Sequence, residues 1–183
     1  MSATNFIYVT GNEGKRKRMK LLLGDDFQSK KLDLDEIQAI DPREIAEHKA
    51  RQAYDIVKEP VLGEDTSLHI ESLGGLPGPM IKWFLSAVGV AGICRMTSGT
   101  RTAYGVNTFA YFNGTTMHFF EGRIEGKIAL KPRGSNGFGW DSIFVIDGQT
   151  KTRAELSDEE NAASSGRAIA LKKLAEFMHE KSN

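Results

Sequence analysis

Two β-rich runs, Tyr104 to Phe112 and Met117 to Ile128, flank the dipeptide Asn113-Gly114. Asn-Gly between such runs is a strong two-residue hairpin signal, because the tight turn needs positive φ at both central residues. The second half of the chain therefore contains an antiparallel ribbon. The first half reads differently. Phe6 to Thr10 is a β-rich run, and Gly11-Asn12-Glu13-Gly14-Lys15 then opens a helix through Leu23. Lys30 to Leu34 forms a second strand. Asp41-Pro42-Arg43-Glu44 supplies an N-cap, a proline at the first helical position and an acid at the third. That helix runs to about Val57, with Ile45, Ala46, Ala53, Ile56 and Val57 on its buried side. Strands separated by helices form crossover units, and a hairpin follows them, so the class is α/β with a mixed sheet.

The chemistry-bearing residues concentrate at the breaks in this pattern. The apolar run Pro60-Val61-Leu62 gives way to Gly63-Glu64-Asp65-Thr66-Ser67-Leu68, which puts two adjacent carboxylates at a strand end, a rigid mount for acids facing a cleft. Three glycines and two prolines between Gly74 and Pro79 then force an irregular turn. Lys82 follows on the first turn of a helix over Met80 to Met96, with interruptions at Gly89 and Gly92; this apolar segment is core or subunit interface. Carboxylates for a metal and a lysine for phosphate on one segment suggest a phosphoryl-type substrate, although an acidic pair also closes turns. At the N-terminus, strand, glycine-bearing turn, helix start and Lys15 form an anion site. It is not a Walker A loop, because the glycines are too close and no Ser or Thr follows Lys15.

Other candidates carry two readings each. Glu44 either serves a site or only closes a capping box. Lys49, beside the apolar stripe of its helix, snorkels outward or reaches into a site, and the pattern favours snorkelling. Phe138 and Trp140, on the glycine-flexed loop Pro132 to Asp141, offer flat faces for a nucleobase with Asp141 as polar discriminator; equally, they pin the loop to the core. Ser157-Asp158-Glu159-Glu160 is a capping box for a helix to about His179, although Ser164-Ser165-Gly166-Arg167 is poor helix material. Arg167 is a planar partner for a base or phosphate, or is merely exposed.

Composition narrows the function. Lysine plus arginine equals aspartate plus glutamate, 24 each, so no net field draws the chain to nucleic acid or membrane. The basic run Lys15 to Lys20 then reads as a solvated helix face. No stretch approaches the roughly 20 apolar residues of a membrane span, and no secretory leader is evident. The single cysteine, Cys94, excludes an internal disulfide and reads as a small buried group in a helix. The expectation is one cytoplasmic domain over residues 1–183.

Taken in order, Thr10-Gly11-Asn12 with Lys15, Glu44 with Lys49, Glu64-Asp65-Thr66, Leu73 to Trp83, Phe138-Gly139-Trp140-Asp141, Ala154-Glu155-Leu156 and Ser165 with Arg167 resemble the inosine triphosphate pyrophosphatase family nearly end to end. The resemblance implies an elongated mixed β-sheet flanked by helices that form two lobes around a central cleft, and a homodimer. It implies hydrolysis of non-standard purine nucleoside triphosphates (ITP, dITP, XTP) to the monophosphate and pyrophosphate. It further implies Mg²⁺, with Mn²⁺ as the alternative ion, held by Glu44 and Asp65 with Glu64 close by. Asp65, Lys15 and Lys49 would then be catalytic. The Thr10-Gly11-Asn12 loop, Lys15, Lys49, Thr66 and Lys82 would grip the triphosphate, and Phe138, Gly139, Trp140, Asp141, Ser165 and Arg167 would surround the base. Three positions depart from the family pattern: Arg18 stands for an acid, Asn161 for a lysine and Gly166 for a histidine. The first would reverse a charge near the metal, and the other two would remove base-side donors and loosen or redirect purine selectivity. The alternative is a family member that binds nucleotides with altered base specificity or without turnover.

Overall fold

The computed structural model describes residues 6–25 and 27–182. Seven strands form one mixed sheet: β1 (Ile7–Val9), β2 (Gln28–Lys30), β3 (Val61–Ile70), β4 (Pro77–Gly78), β5 (Thr102–Phe112), β6 (Met117–Ile128) and β7 (Phe144–Ile146). The spatial order is β2-β1-β3-β5-β6-β7, with β4 added to β3. β1 pairs in parallel with β2 and β3, and the remaining pairs are antiparallel. The helices are α1 (Glu13–Leu23), α2 (Pro42–Val57), α3 (Ile81–Met96), α4 (Asp158–Ala163) and α5 (Gly166–Ser182). Among the described residues no helix is long and apolar enough to cross a membrane.

Three apolar clusters divide the molecule into two lobes. Tyr8, Met19, Leu62, Phe109, Leu171 and Leu174 fill the space between the sheet and α1 and α5. Ile7, Val9, Ala46, Ala50, Ala53 and Val61 pack α2 against the opposite face. Leu68, Ile70, Ile81, Ile93, Cys94, Ile143 and Phe144 form a separate core at the far ends of β3 and β5. The small residues of α2 are required by a close approach: a Cβ on Gly63 would lie 2.8 Å from the Ala46 carbonyl oxygen. That seam also explains why Ile56, expected inside, is 57% exposed while Ala50 is buried.

Other boundaries differ from the sequence reading for physical reasons. β2 ends at Lys30 because β1 offers no backbone beyond the pairing of Val9 with Lys30, and Leu32 and Leu34 pack as coil against the α2 cluster. The hairpin joins Phe112 to Met117 through four residues rather than two. Asn113 Oδ1 accepts hydrogen bonds from the Thr115 and Thr116 N–H groups at 3.0 and 2.8 Å, so Asn113 acts as an Asx-turn residue. α3 is broken at Gly89, whose φ of 65° and ψ of 175° no helix contains, whereas Gly92, expected as a second interruption, stays helical. The expected last helix is two, α4 with its Ser157/Glu160 capping box and α5, separated at Ser164-Ser165.

Candidate active-site cleft

β1 leaves β3 after Leu62, and β4 joins it only at Leu68. Between these points one edge of β3 has no neighbouring strand, while β5 pairs along the whole of the other edge. The gap is the floor of a cleft of about 800 Å³ between the two lobes. Glu64 and Asp65 therefore lie in mid-strand, which corrects the strand-end placement. Successive strand residues point to opposite faces, so the two acids are not a facing pair. Glu64 points toward α1 and α5, and Asp65 toward α2.

Glu64 is fully engaged. Arg167 donates to it from Nη2 at 2.6 Å and Nε at 3.2 Å, Thr66 Oγ1 at 2.8 Å and Asn107 Nδ2 at 3.0 Å. The Tyr8 hydroxyl donates as well, and Lys15 Nζ stands 3.7 Å away. Burial opposes the charge, but Arg167 and Lys15 outweigh it and hold the carboxyl far below its ordinary range. The same burial, with Glu64 beside it, pushes the Tyr8 hydroxyl well above its usual value.

Asp65 has the opposite surroundings. Its Oδ1 lies 4.0 Å from Lys49 Nζ, and its Oδ2 is buried without a hydrogen-bond partner. Burial raises this carboxyl, although Lys15 and Lys49 pull against the shift. Lys49, expected to snorkel outward, is instead drawn toward the cleft, and burial with Lys15 nearby lowers its ammonium. The start of α1 closes this end. Asn12 Oδ1 caps the Lys15 N–H at 3.0 Å, and Thr10 Oγ1 accepts from the Asn12 N–H at 3.1 Å. The Thr10 N–H goes to the Lys30 carbonyl, so on the Thr10-Gly11-Asn12 rim the donors left for a ligand are the Gly11 N–H and the first N–H groups of the helix, which have no intrahelical acceptor. At the mouth Lys82 Nζ donates to Glu36 at 2.6 Å, both side chains being exposed.

The other end of the cleft is walled by the 138–141 loop. Phe138 packs its ring over Gly14, and Trp140 lies over Gly105 and edge-on to Phe144 at 5.0 Å. Both are half-buried and line the cleft, so pinning and presentation of a flat face coexist. Asp141 is buried and accepts from the Phe138 N–H at 3.0 Å, Arg18 Nη2 at 3.2 Å and Arg153 Nε at 3.0 Å. Arg18 is thus part of this end, not a neighbour of Asp65. Asn161 is sealed beneath it, joined to Arg153 in both directions, and does not line the cleft. Gly166 starts α5 where that helix touches β6: a Cβ there would sit 2.5 Å from the Gly122 carbonyl oxygen. No side chain fits at Gly166 without moving that backbone.

The cleft thus gathers Thr10, Gly11, Asn12, Lys15, Lys49, Glu64, Asp65, Thr66, Lys82, Phe138, Gly139, Trp140, Asp141, Ser165 and Arg167. Glu44 is exposed on the first turn of α2, outside this lining. Tyr8, Glu36, Asn107, Arg18 and Arg153 were not among the expected site residues. Asn107 stands opposite Thr66 in the pairing of β5 with β3, a contact over 41 residues that no local pattern signals. Among the described residues no three His, Cys, Asp or Glu side chains are grouped to hold a metal unaided. The orphaned Oδ2 of Asp65 nevertheless fits a hard cation, and Mg²⁺ often binds through one or two carboxylates together with substrate phosphates.

Comparison with known proteins bears on this arrangement. The sequence profile of the Ham1 family matches residues 6–177. The chain is 44% identical to an inosine triphosphate pyrophosphatase of Schizosaccharomyces pombe over 98% of its own length and 97% of the relative's. It superimposes on a HAM1 protein from Coxiella burnetii with a TM-score of 0.82 at 26% identity, covering 96% of this chain and 99% of that one. It also superimposes on a nucleoside-triphosphatase, dITP/XTP pyrophosphatase, from Mycobacterium abscessus with a TM-score of 0.72 at 28% identity, over 92% and 97% of the two chains.

Proposed function

This chain belongs to the Ham1 family, and from that premise we propose that it hydrolyses non-standard purine nucleoside triphosphates, ITP, dITP and XTP, to the monophosphate and pyrophosphate. The role is to cleanse the cytoplasmic nucleotide pool. One observation carries the assignment of the reacting centre: Asp65 is a buried carboxylate on a rigid strand with one oxygen unpartnered, facing Lys49 and close to Lys15. Hydrolysis of a phosphoanhydride needs an oriented water and neutralised phosphate charge rather than a covalent nucleophile. Asp65 Oδ2, buried and without a partner, is the group we assign to orient that water and accept its proton. Lys15 and Lys49, with the start of α1 at the Thr10-Gly11-Asn12 turn, offset the charge that develops on the phosphate oxygens. Lys82 reaches the tail of the triphosphate once it parts from Glu36. Mg²⁺, or Mn²⁺ in its place, would be held by Asp65, with Glu44 at the start of α2 as the candidate second carboxylate, and would supply charge neutralisation for the phosphates. Glu64 is assigned to fixing Arg167, since its oxygens already accept from four side chains.

Phe138 and Trp140 hold the base between them and the arginine-lined wall. The working unit is the whole chain as one domain. Its partner is a second copy, and the face offered for it is the apolar surface of α3, with Trp83 51% and Val88 41% exposed; neither nucleic acid nor membrane is a partner. A binder without turnover is disfavoured, because Arg18 and Gly166, the departures that suggest it, lie at the base end and leave Asp65 untouched. Pyrophosphate release from ITP, measured with and without Mg²⁺, tests the assignment. Absence of release in both conditions would overturn it.

A further inference from the structure

Three arginines line the base end of the cleft, and their donors are not equally committed. Arg153 gives Nε to Asp141, Nη2 to the Asn161 backbone and side chain, and Nη1 to the Ser164 carbonyl. Arg167 gives Nε and Nη2 to Glu64. Arg18, only 3% exposed, gives a single hydrogen bond, from Nη2 to Asp141 at 3.2 Å. A guanidinium carries five N–H donors and no acceptor. Among the described residues only His48 and Asp65 have sealed, unpartnered side-chain atoms, so the remaining Arg18 donors open on the cleft. Its Cζ lies over the Phe138 ring, 5.7 Å from the ring centre, and so beside the loop assigned to the base. Arg18 stands one turn beyond Lys15 on α1, so the helix start meets phosphates while this side chain is carried past them toward the base.

We infer that Arg18 reads the edge of the base and selects 6-oxopurines over 6-aminopurines. The inference rests on the nucleotide reading above and names the residue that sets its specificity. The forked guanidinium matches the adjacent O6 and N7 acceptors of hypoxanthine or xanthine, whereas the exocyclic amine of adenine would bring donor against donor. The local charge adds to this. Arg18, Arg153, Arg167 and Lys15 stand against Asp141, Glu64 and Asp158, and the remaining positive charge in a sheltered site favours xanthine, which loses a ring proton near neutral pH. Selectivity is thereby redirected to a different donor, without help from Asn161, which is sealed away, or from Gly166, which has no room for a side chain.

The test is calorimetric binding of XMP, IMP and AMP to the wild-type protein and to Arg18→Leu, with turnover of XTP, ITP and ATP measured in parallel. Asp141 keeps its bonds from Arg153 and Phe138 in the variant, so the fold is retained, and a melting curve checks this. A bidentate arginine contact discriminates by about 10–100-fold. Arg18→Leu is expected to lose about that factor for XMP and IMP while AMP affinity stays unchanged. Arg18→Lys, which keeps the charge but not the fork, should retain more of the XMP affinity than of the IMP affinity. Equal losses for all three nucleotides would show a packing role and overturn the inference, as would no loss for any. Base-selective binding that depends on Arg18, with no triphosphate hydrolysed by the wild type, would sustain the inference while removing the hydrolase reading.

Discussion

The two faces of β3 around the cleft are built on opposite principles. On the Glu64 side every oxygen is matched by a donor, and Arg167, Tyr8, Thr66 and Asn107 lock the carboxylate in place. On the Asp65 side the nearest cation is 4.0 Å away and one buried oxygen has no partner. Adjacent positions on one strand thus give one acid that is finished without a ligand and one that is not. A buried charge left incomplete costs stability in the free protein, and the cost is offset only when a cation or a substrate supplies the missing partner. The contrast separates framework from chemistry at a site where composition alone offers two equivalent carboxylates.

The sharpest way to break the comparison is to neutralise each acid in turn. Asp65→Asn keeps the shape and removes the proton acceptor and metal ligand, so kcat should fall by about 10²–10⁴-fold. Because an uncompensated buried charge is removed, the melting temperature should hold or rise. Pyrophosphate release and a thermal melt on the same sample read both effects, and near-normal turnover would end the catalytic assignment. Glu64→Gln reverses the pattern. It leaves the Arg167 guanidinium buried without its counter-charge, a loss of about 3 kcal/mol in the range for broken buried pairs. Denaturant unfolding of this variant should show a lowered midpoint. A stable Glu64→Gln protein with kcat as low as that of Asp65→Asn would mean that both acids belong to the chemistry.

The cleft's far end permits a milder test. Trp140 presents a half-buried face to the cleft and braces against Phe144. Base stacking on such a ring contributes about 1–3 kcal/mol. Trp140→Ala should therefore raise KM by about 10–100-fold, with kcat at saturation largely kept. A selective fall in kcat would place the ring in the reacting geometry instead.

How much of this was legible in the sequence follows from the range of each signal. Caps and local periodicity marked α1, α2 and the start of α4, where Asn12, Asp41 and Ser157 each accept a hydrogen bond from the first turn, but they missed the break between α4 and α5. Mixed-sheet topology followed from the order of helical and hairpin segments. What failed depends on contacts distant in sequence. The acids seemed to sit at a strand end because the apolar run stops at Leu62, yet β3 continues to Ile70 since β5 supplies a partner for every residue. Once the strand is known to continue, alternation alone separates Glu64 from Asp65. Arg18 read as part of a solvated basic run, and no local pattern could reveal Asp141, 123 residues away, holding it inside. The resemblance supplied the roster of site residues, whereas the division of labour within that roster required the geometry.

The smallest expected effect lies at the mouth. Glu36 accepts from Lys82 at 2.6 Å, and its carboxyl is held below the ordinary range chiefly by that hydrogen bond, with the charges of Lys49 and Lys15 adding to it. The pair spans from the segment after β2 to the first turn of α3, across the entrance to the Asp65 side. Both side chains are exposed, so the bond contributes only about 0–1 kcal/mol to stability. A triphosphate tail needs the same ammonium, and Glu36 competes with it as an internal anion. Glu36→Gln should then lower KM for ITP by about two- to fivefold, the equivalent of that small pairing energy, with melting temperature and kcat unchanged. The gain should shrink as salt is raised, because exposed pairs are screened. A higher KM would mean that Glu36 helps to hold the bound nucleotide, perforce through its metal, and the Asp65 side would then be less incomplete than its free carboxylate oxygen suggests.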